Sequence, residues 1–154
     1  MANIRITKQF NFEMAHALQN YDGPCKNIHG HSYELFVTVI GSPINETNHP
    51  KNGMLIDFGD LKRLVKTLII DKVDHALVFN KTIGKEVFDL FKAQFDNIVL
   101  VDYQPTSENM LVDFAEILKQ ALPKNIKLHS LKLRETHTSF AEWFSEDNSG
   151  ESAG

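Results

Sequence analysis

A chain of 154 residues, 42% of them hydrophobic and 23% charged, is long enough for one packed core, short for two, and too apolar to stay disordered. Its formal net charge of -4 offers no general attraction to nucleic acid or an anionic membrane, no apolar run reaches bilayer length, and residues 1–10 lack the apolar stretch of a secretory signal. One cysteine cannot close an internal disulfide, so Cys25 is free for chemistry, and the sequence implies a cytoplasmic chain whose mature form starts near Met1.

From Ile4 to His16 the residues Phe10, Phe12 and Met14 alternate with Asn11, Glu13 and Ala15, the period-two pattern of a half-buried strand, and His16 continues the Phe10 face. After the turn-rich Tyr21-Asp22-Gly23-Pro24, a second alternating run passes through His31, Tyr33, Leu35, Val37 and Val39 and stops at Gly41-Ser42-Pro43. The two runs can pair as an antiparallel ribbon. A polar loop from Asn45 to Gly53 precedes Asp57, an N-cap candidate, and Leu61, Leu64, Val65, Leu68 and Ile69 then follow at helical spacing.

Val87, Phe88, Phe91 and Phe95 suit another short helix, and Ile98 to Val101 reads as a strand. Thr106 or Ser107 caps a further helix whose buried stripe is Leu111, Phe114, Ala115, Leu118 and Leu122, and Pro123 stops it. The chain closes with a strand from Ile126 to about Glu135, a partner from Phe140 to Phe144, and a polar tail over 145–154, leaving 1–144 as one domain. This α+β order lets helices cover one face of an antiparallel sheet with four central strands, whose two exposed edges invite pairing with copies of the same chain.

His29-Gly30-His31 is the strongest local signal, because alternate strand residues point to one side and two imidazoles can reach one ion, with Gly30 leaving room between them. A lone His-x-His is weak evidence. A third nitrogen from His16 on the paired strand leaves a fourth position open, as catalytic metal sites do. Cys25, four residues before His29, suits a metal ligand or a base beside the metal, although a single cysteine also serves as a small apolar filler. Asp74-His75 stands in the apolar context of Val73 to Phe79, and on residues alone it reads first as a capping carboxylate and a surface imidazole. Glu135 shares a face with Leu131 and Leu133, where a carboxylate needs a partner such as Arg134 or a lysine.

Six segments together resemble one family: Phe10 to His16, Cys25 to His31, Leu55-Ile56-Asp57-Phe58, Val73-Asp74-His75, Pro105-Thr106-Ser107-Glu108 and Arg134-Glu135-Thr136 occur in the order of the 6-pyruvoyl- and 6-carboxy-tetrahydropterin synthases. The resemblance runs from about residue 4 to residue 144. It implies a tunnelling fold (T-fold): a four-stranded antiparallel sheet with helices on one face, joined with its copies into a barrel-like trimer, two trimers stacking as a hexamer with sites between subunits. By matched position it implies zinc on His16, His29 and His31, and Cys25 as a proton-transferring thiol with Asp74 and His75 completing its relay. It also implies Glu135 as anchor of the pterin ring, with Thr106, Ser107 and Glu108 lining the pocket.

Members similar to the pyruvoyl-forming enzymes carry a longer spacer between the cysteine and His-Gly-His than the bacterial carboxy-forming ones, and here the spacer is the short Lys26-Asn27-Ile28. The reaction implied is therefore conversion of 7,8-dihydroneopterin triphosphate to 6-carboxy-5,6,7,8-tetrahydropterin, releasing acetaldehyde and triphosphate on the route to queuosine. The alternatives are a 6-pyruvoyl-tetrahydropterin synthase and a noncatalytic module that keeps zinc and the pterin pocket. The stretch from Lys81 to Gln104 is longer than in the short bacterial members and bears on the rim of the site, while Lys26 argues against an aldolase-like role.

Overall fold

The alternation in the first forty residues becomes a long hairpin. β1 (Ile4–His16) and β2 (His29–Gly41) pair antiparallel from Ile4 opposite Gly41 to His16 opposite His29. In this computed structural model, which describes residues 2–150, Phe10, Phe12 and Met14 of β1 and Tyr33, Leu35, Val37 and Val39 of β2 are buried on one face. A slip of one residue would turn all of them to the other face, so burial fixes the register, and with it the pairing of His16 with His29.

β5 (Lys127–Thr136) lies antiparallel to β2, and β6 (Ser139–Phe144) antiparallel to β5. The sheet does not stop at four strands. It has six, in the order β4-β3-β1-β2-β5-β6, because β3 (Ala76–Asn80) joins β1 in parallel along Met14–His16 and β4 (Ile98–Val101) joins β3 in parallel. The expected purely antiparallel sheet is thus a mixed one. β3 is a short apolar run with Ala76, Val78 and Phe79 buried, and a strand covered on both faces lacks the alternation that marks a half-exposed one.

α1 (Phe58–Val65) starts where Asp57 accepts the Gly59 N–H at 2.7 Å, a cap that contributes about 1 kcal/mol. It passes through a π turn at Lys66–Ile70 into α2 (Asp71–Val73), burying Leu61, Val65, Ile69 and Ile70 against the sheet and delivering the chain to Asp74. α3 (Lys85–Gln94) connects β3 to β4, and Phe88 and Phe91 pack on a small cluster of Ala17, Phe79 and Ile98. α4 (Ser107–Ala121) is capped by Thr106, whose hydroxyl accepts the Asn109 N–H at 3.2 Å, and its buried stripe is Met110, Leu111, Phe114, Ala115 and Leu118.

Both long helical segments share one core with the sheet. Leu35, Leu61, Leu118 and Leu133 are fully enclosed there, where truncating a leucine to alanine costs about 2–5 kcal/mol. The start of the tail is tied down: Ser145 N–H donates to His129 O at 3.0 Å ahead of a 3₁₀ turn at Glu146–Asn148. The rest of the expected tail, 151–154, lies outside the described residues. No helix among the described residues is long and apolar enough to cross a membrane.

Candidate metal and ligand site

The hairpin register sets His16 opposite His29, and strand alternation brings His31 to the same face, so that ligating atoms of the three lie within 4.8 Å of one another. Gly30 points to the opposite face, where an added Cβ would come within 3.3 Å of Met14 O, so its bareness serves strand packing rather than the gap between the imidazoles. His16 Nδ1 lies 2.6 Å from Pro105 O and His29 Nδ1 lies 2.8 Å from Asn27 O. A carbonyl only accepts, so both Nδ1 atoms carry a proton, and in the neutral rings both Nε2 atoms are bare. Those two Nε2 atoms face each other at 3.1 Å.

Facing lone pairs repel unless a cation lies between them. With metal–nitrogen distances of about 2.0–2.1 Å, tetrahedral ligands stand about 3.3 Å apart, close to the separation found. His31 Nε2 is buried with no hydrogen-bond partner; it lies 3.3 Å from Glu135 Oε1, but out of line for a bond. Burial, chiefly, holds the His16 imidazolium below its usual range, and His29 and His31 push the same way, against the Pro105 carbonyl and Glu135. The neutral ring that a metal requires is therefore the favoured one, and the donor set fits a divalent ion. Cys25 is not part of this cluster of donors, which leaves a coordination position open.

Beside the histidines opens a cavity of about 270 Å³ lined by His16, Cys25, Thr106, Ser107, Glu108 and Glu135. Ser107, buried in the first turn of α4, donates its hydroxyl to Glu135 Oε2 at 2.6 Å. Arg134 pairs instead with Glu34 across the strands, Nε to Oε2 at 3.3 Å, so Glu135 is held by Ser107 and not by a neighbouring cation. Cys25 sits in a 3₁₀ turn, Pro24–Lys26, part exposed. Tyr21 and Phe140 also line this cavity and were not anticipated, since an aromatic in a turn and one at a strand end carry no local signal of a site.

Asp74 and His75 are not at this cavity. His75 lines a larger one of about 750 Å³ with Glu13, Ser32, Phe95 and Asn97, which His31 also borders. His75 has φ of 59°, a left-handed conformation that a residue with a Cβ rarely adopts without being held there. The hold is explicit: His75 N–H donates to Glu13 O at 2.6 Å, Glu13 N–H to Asp74 Oδ1 at 3.0 Å, and Asn97 Nδ2 to Asp74 O at 3.0 Å. The Glu13 N–H, chiefly, and His75 at 3.1 Å keep the Asp74 carboxyl below the usual carboxylate range. Asp74 thus stays ionised and orients an exposed imidazole.

The profile of the 6-pyruvoyl tetrahydropterin synthase family matches residues 5–146. A 6-carboxy-5,6,7,8-tetrahydropterin synthase of Haemophilus influenzae is 36% identical over 141 residues, covering 90% of this chain and 97% of the relative. One from Synechocystis is 33% identical over 141 residues, covering 91% and 92%. Among solved structures, the 6-pyruvoyl tetrahydropterin synthase of Caenorhabditis elegans superposes with a TM-score of 0.65 at 25% identity, covering 94% of this chain and 96% of that one. An uncharacterized protein of Wolinella succinogenes shares the fold with a TM-score of 0.68 at 19% identity, covering 94% and 99%.

Proposed function

The chain belongs to the 6-pyruvoyl tetrahydropterin synthase family, and on that premise we propose that it is a lyase converting 7,8-dihydroneopterin triphosphate to 6-carboxy-5,6,7,8-tetrahydropterin, with release of acetaldehyde and triphosphate. The observation that carries the reading is the convergence of three imidazoles, two with bare Nε2 atoms and one with an unpartnered Nε2, beside the cavity that holds Cys25, Ser107 and Glu135.

His16, His29 and His31 are the ligands of zinc, an ion suited to three neutral imidazoles and an open fourth position. When bound, zinc supplies Lewis-acid polarisation of the hydroxyl groups on the substrate side chain. Glu135 accepts the ring N–H and amino group of the pterin side by side, and Ser107 sets the plane of its carboxylate. Thr106 and Glu108 stand at the edge of the same cavity. Cys25 takes the proton from the side-chain carbon next to a hydroxyl, and His75, oriented by the ionised Asp74, relays it. Carbon–oxygen cleavage then frees triphosphate, and one water, added at the side-chain carbon next to the ring, supplies the second carboxyl oxygen as carbon–carbon cleavage frees the two-carbon aldehyde.

His75 and Cys25 line different cavities of one chain, which supports a relay formed between copies. The outer edge of β1 from Ile4 to Glu13 and the outer edge of β6 carry no strand among the described residues, which supports sheets closing into a barrel of copies. A cytoplasmic hexamer of two stacked trimers serving queuosine formation, built from residues 1–144 with 145–154 as a polar tail, completes the reading.

Mass analysis of the pterin formed from 7,8-dihydroneopterin triphosphate tests it. The expected product is the 6-carboxy compound. A 6-pyruvoyl product would assign the chain to the chemistry named for its Caenorhabditis elegans neighbour, and no product would leave a binding module. Glu135→Ala is expected to lose about 1.5–3 kcal/mol of pterin binding, roughly 10- to 150-fold in Kd, because a charged acceptor of two bonds is removed. Zinc content should stay at the parent level. Calorimetry with a reduced pterin checks this, and unchanged affinity would contradict the anchor role.

A further inference from the structure

The loop that carries Cys25 has little apolar anchorage, for no side chain from Gln19 to Ile28 is buried. Its hold on the rest of the chain is polar. Gln104 presents both ends of its side-chain amide to one backbone residue: Oε1 accepts the Gln19 N–H at 3.0 Å, and Nε2 donates to Gln19 O at 2.7 Å. One partner only donates and the other only accepts, so the orientation of the amide is fixed by the pair. The adjacent Leu18 N–H donates to Cys25 O at 3.0 Å, which closes the loop on itself at the thiol residue. Gln104 is secured from its other side, where its carbonyl accepts Asn109 Nδ2 at 3.0 Å and the Thr106 N–H at 2.7 Å. This is the entry to α4, which places Ser107 over Glu135.

We propose that Gln104 is a positioning residue for the thiol: its amide joins the Cys25 loop to the Thr106–Ser107 wall of the pocket and so sets the distance from Cys25 to the bound ligand. The inference rests on Cys25 being the proton-transferring group. Gln104 bonds to neither the histidines nor Glu135, and Asn27 O, which braces His29, lies at the far end of the loop from Gln19, so removal of Gln104 acts first on the thiol.

Gln104→Ala deletes both bonds, and Gln104→Glu keeps an acceptor for the Gln19 N–H while setting a carboxylate oxygen against Gln19 O. In each variant kcat is expected to fall roughly 10- to 100-fold, the scale of a displacement of about 1 Å in a reacting group, with KM for the pterin triphosphate within about twofold of the parent. Zinc content should not change, and deuterium exchange should quicken in the 18–27 backbone while α4 stays protected. Unaltered loop exchange would overturn the clamp. Faster exchange with parental kcat, or a raised KM with parental kcat, would overturn the positioning role. Failure of both variants to fold would make the amide a determinant of folding and overturn the proposal as well. Cys25→Ala run alongside separates the two readings: if it keeps turnover, the assignment of the thiol fails, while the exchange data still judge the clamp.

Discussion

The His31→Ala variant is expected to leave purification with less than about a tenth of the zinc held by the parent chain and to have lost turnover with it. His31 is the imidazole whose Nε2 has no hydrogen-bond partner in the chain, whereas His16 and His29 are each braced through Nδ1 by a carbonyl. Without it, two nitrogens remain at 3.1 Å, a site of two ligands too few for tetrahedral retention. Tyr33 and Leu35, the next inward-facing residues of β2, stay packed, so the circular dichroism spectrum should match the parent while metal analysis does not. Full zinc in single His16→Ala, His29→Ala and His31→Ala variants would contradict the ligand set.

Cys25→Ala is expected to keep zinc and fold and to lose at least about 100-fold in turnover, the lower range for removing a positioned proton-transfer group. The separation of metal from chemistry follows from the donor cluster, which does not include Cys25. His75→Ala should fail in the same way. Because the two side chains line different cavities of one chain, mixed refolding of the two inactive variants should restore part of the activity: some interfaces then hold both intact residues and others neither. The comparison holds once each variant alone is shown to fold, bind zinc and exchange subunits. No recovery would place Cys25 and His75 within the same chain, or leave His75 without a part in the reaction.

Much of this site is legible in the sequence because strand alternation is a strict rule. Once Phe10, Phe12 and Met14 are taken as the inward face of β1, His16 must share that face, and Tyr33 and Leu35 oblige His31 and His29 to do likewise. The caps at Asp57 and Thr106 are similarly local, each a short side chain accepting from a backbone N–H two or three residues on. β3 is not legible in this way, since Ala76–Asn80 is covered on both faces and its pattern is simply apolar. Nor is the π turn at Lys66–Ile70, which leaves the helical spacing of Leu61, Val65 and Ile69 undisturbed.

Interactions joined through backbone atoms leave the least trace. The bond from Gln104 to Gln19 spans 85 residues and reads a peptide group rather than a side chain, so no residue type at position 19 announces it. The left-handed turn at His75 is likewise set by Glu13, Asp74 and Asn97 from three separate segments. His75 therefore resembles an ordinary surface histidine until those segments are brought together.

The central claim is that this site cleaves the side chain of a reduced pterin. It is tested most directly by measuring acetaldehyde and triphosphate together when zinc-loaded protein meets 7,8-dihydroneopterin triphosphate. The account predicts that the two are released in equal amounts and that both vanish with Cys25→Ala. Triphosphate without acetaldehyde, or neither compound from a folded and zinc-replete protein, would contradict it.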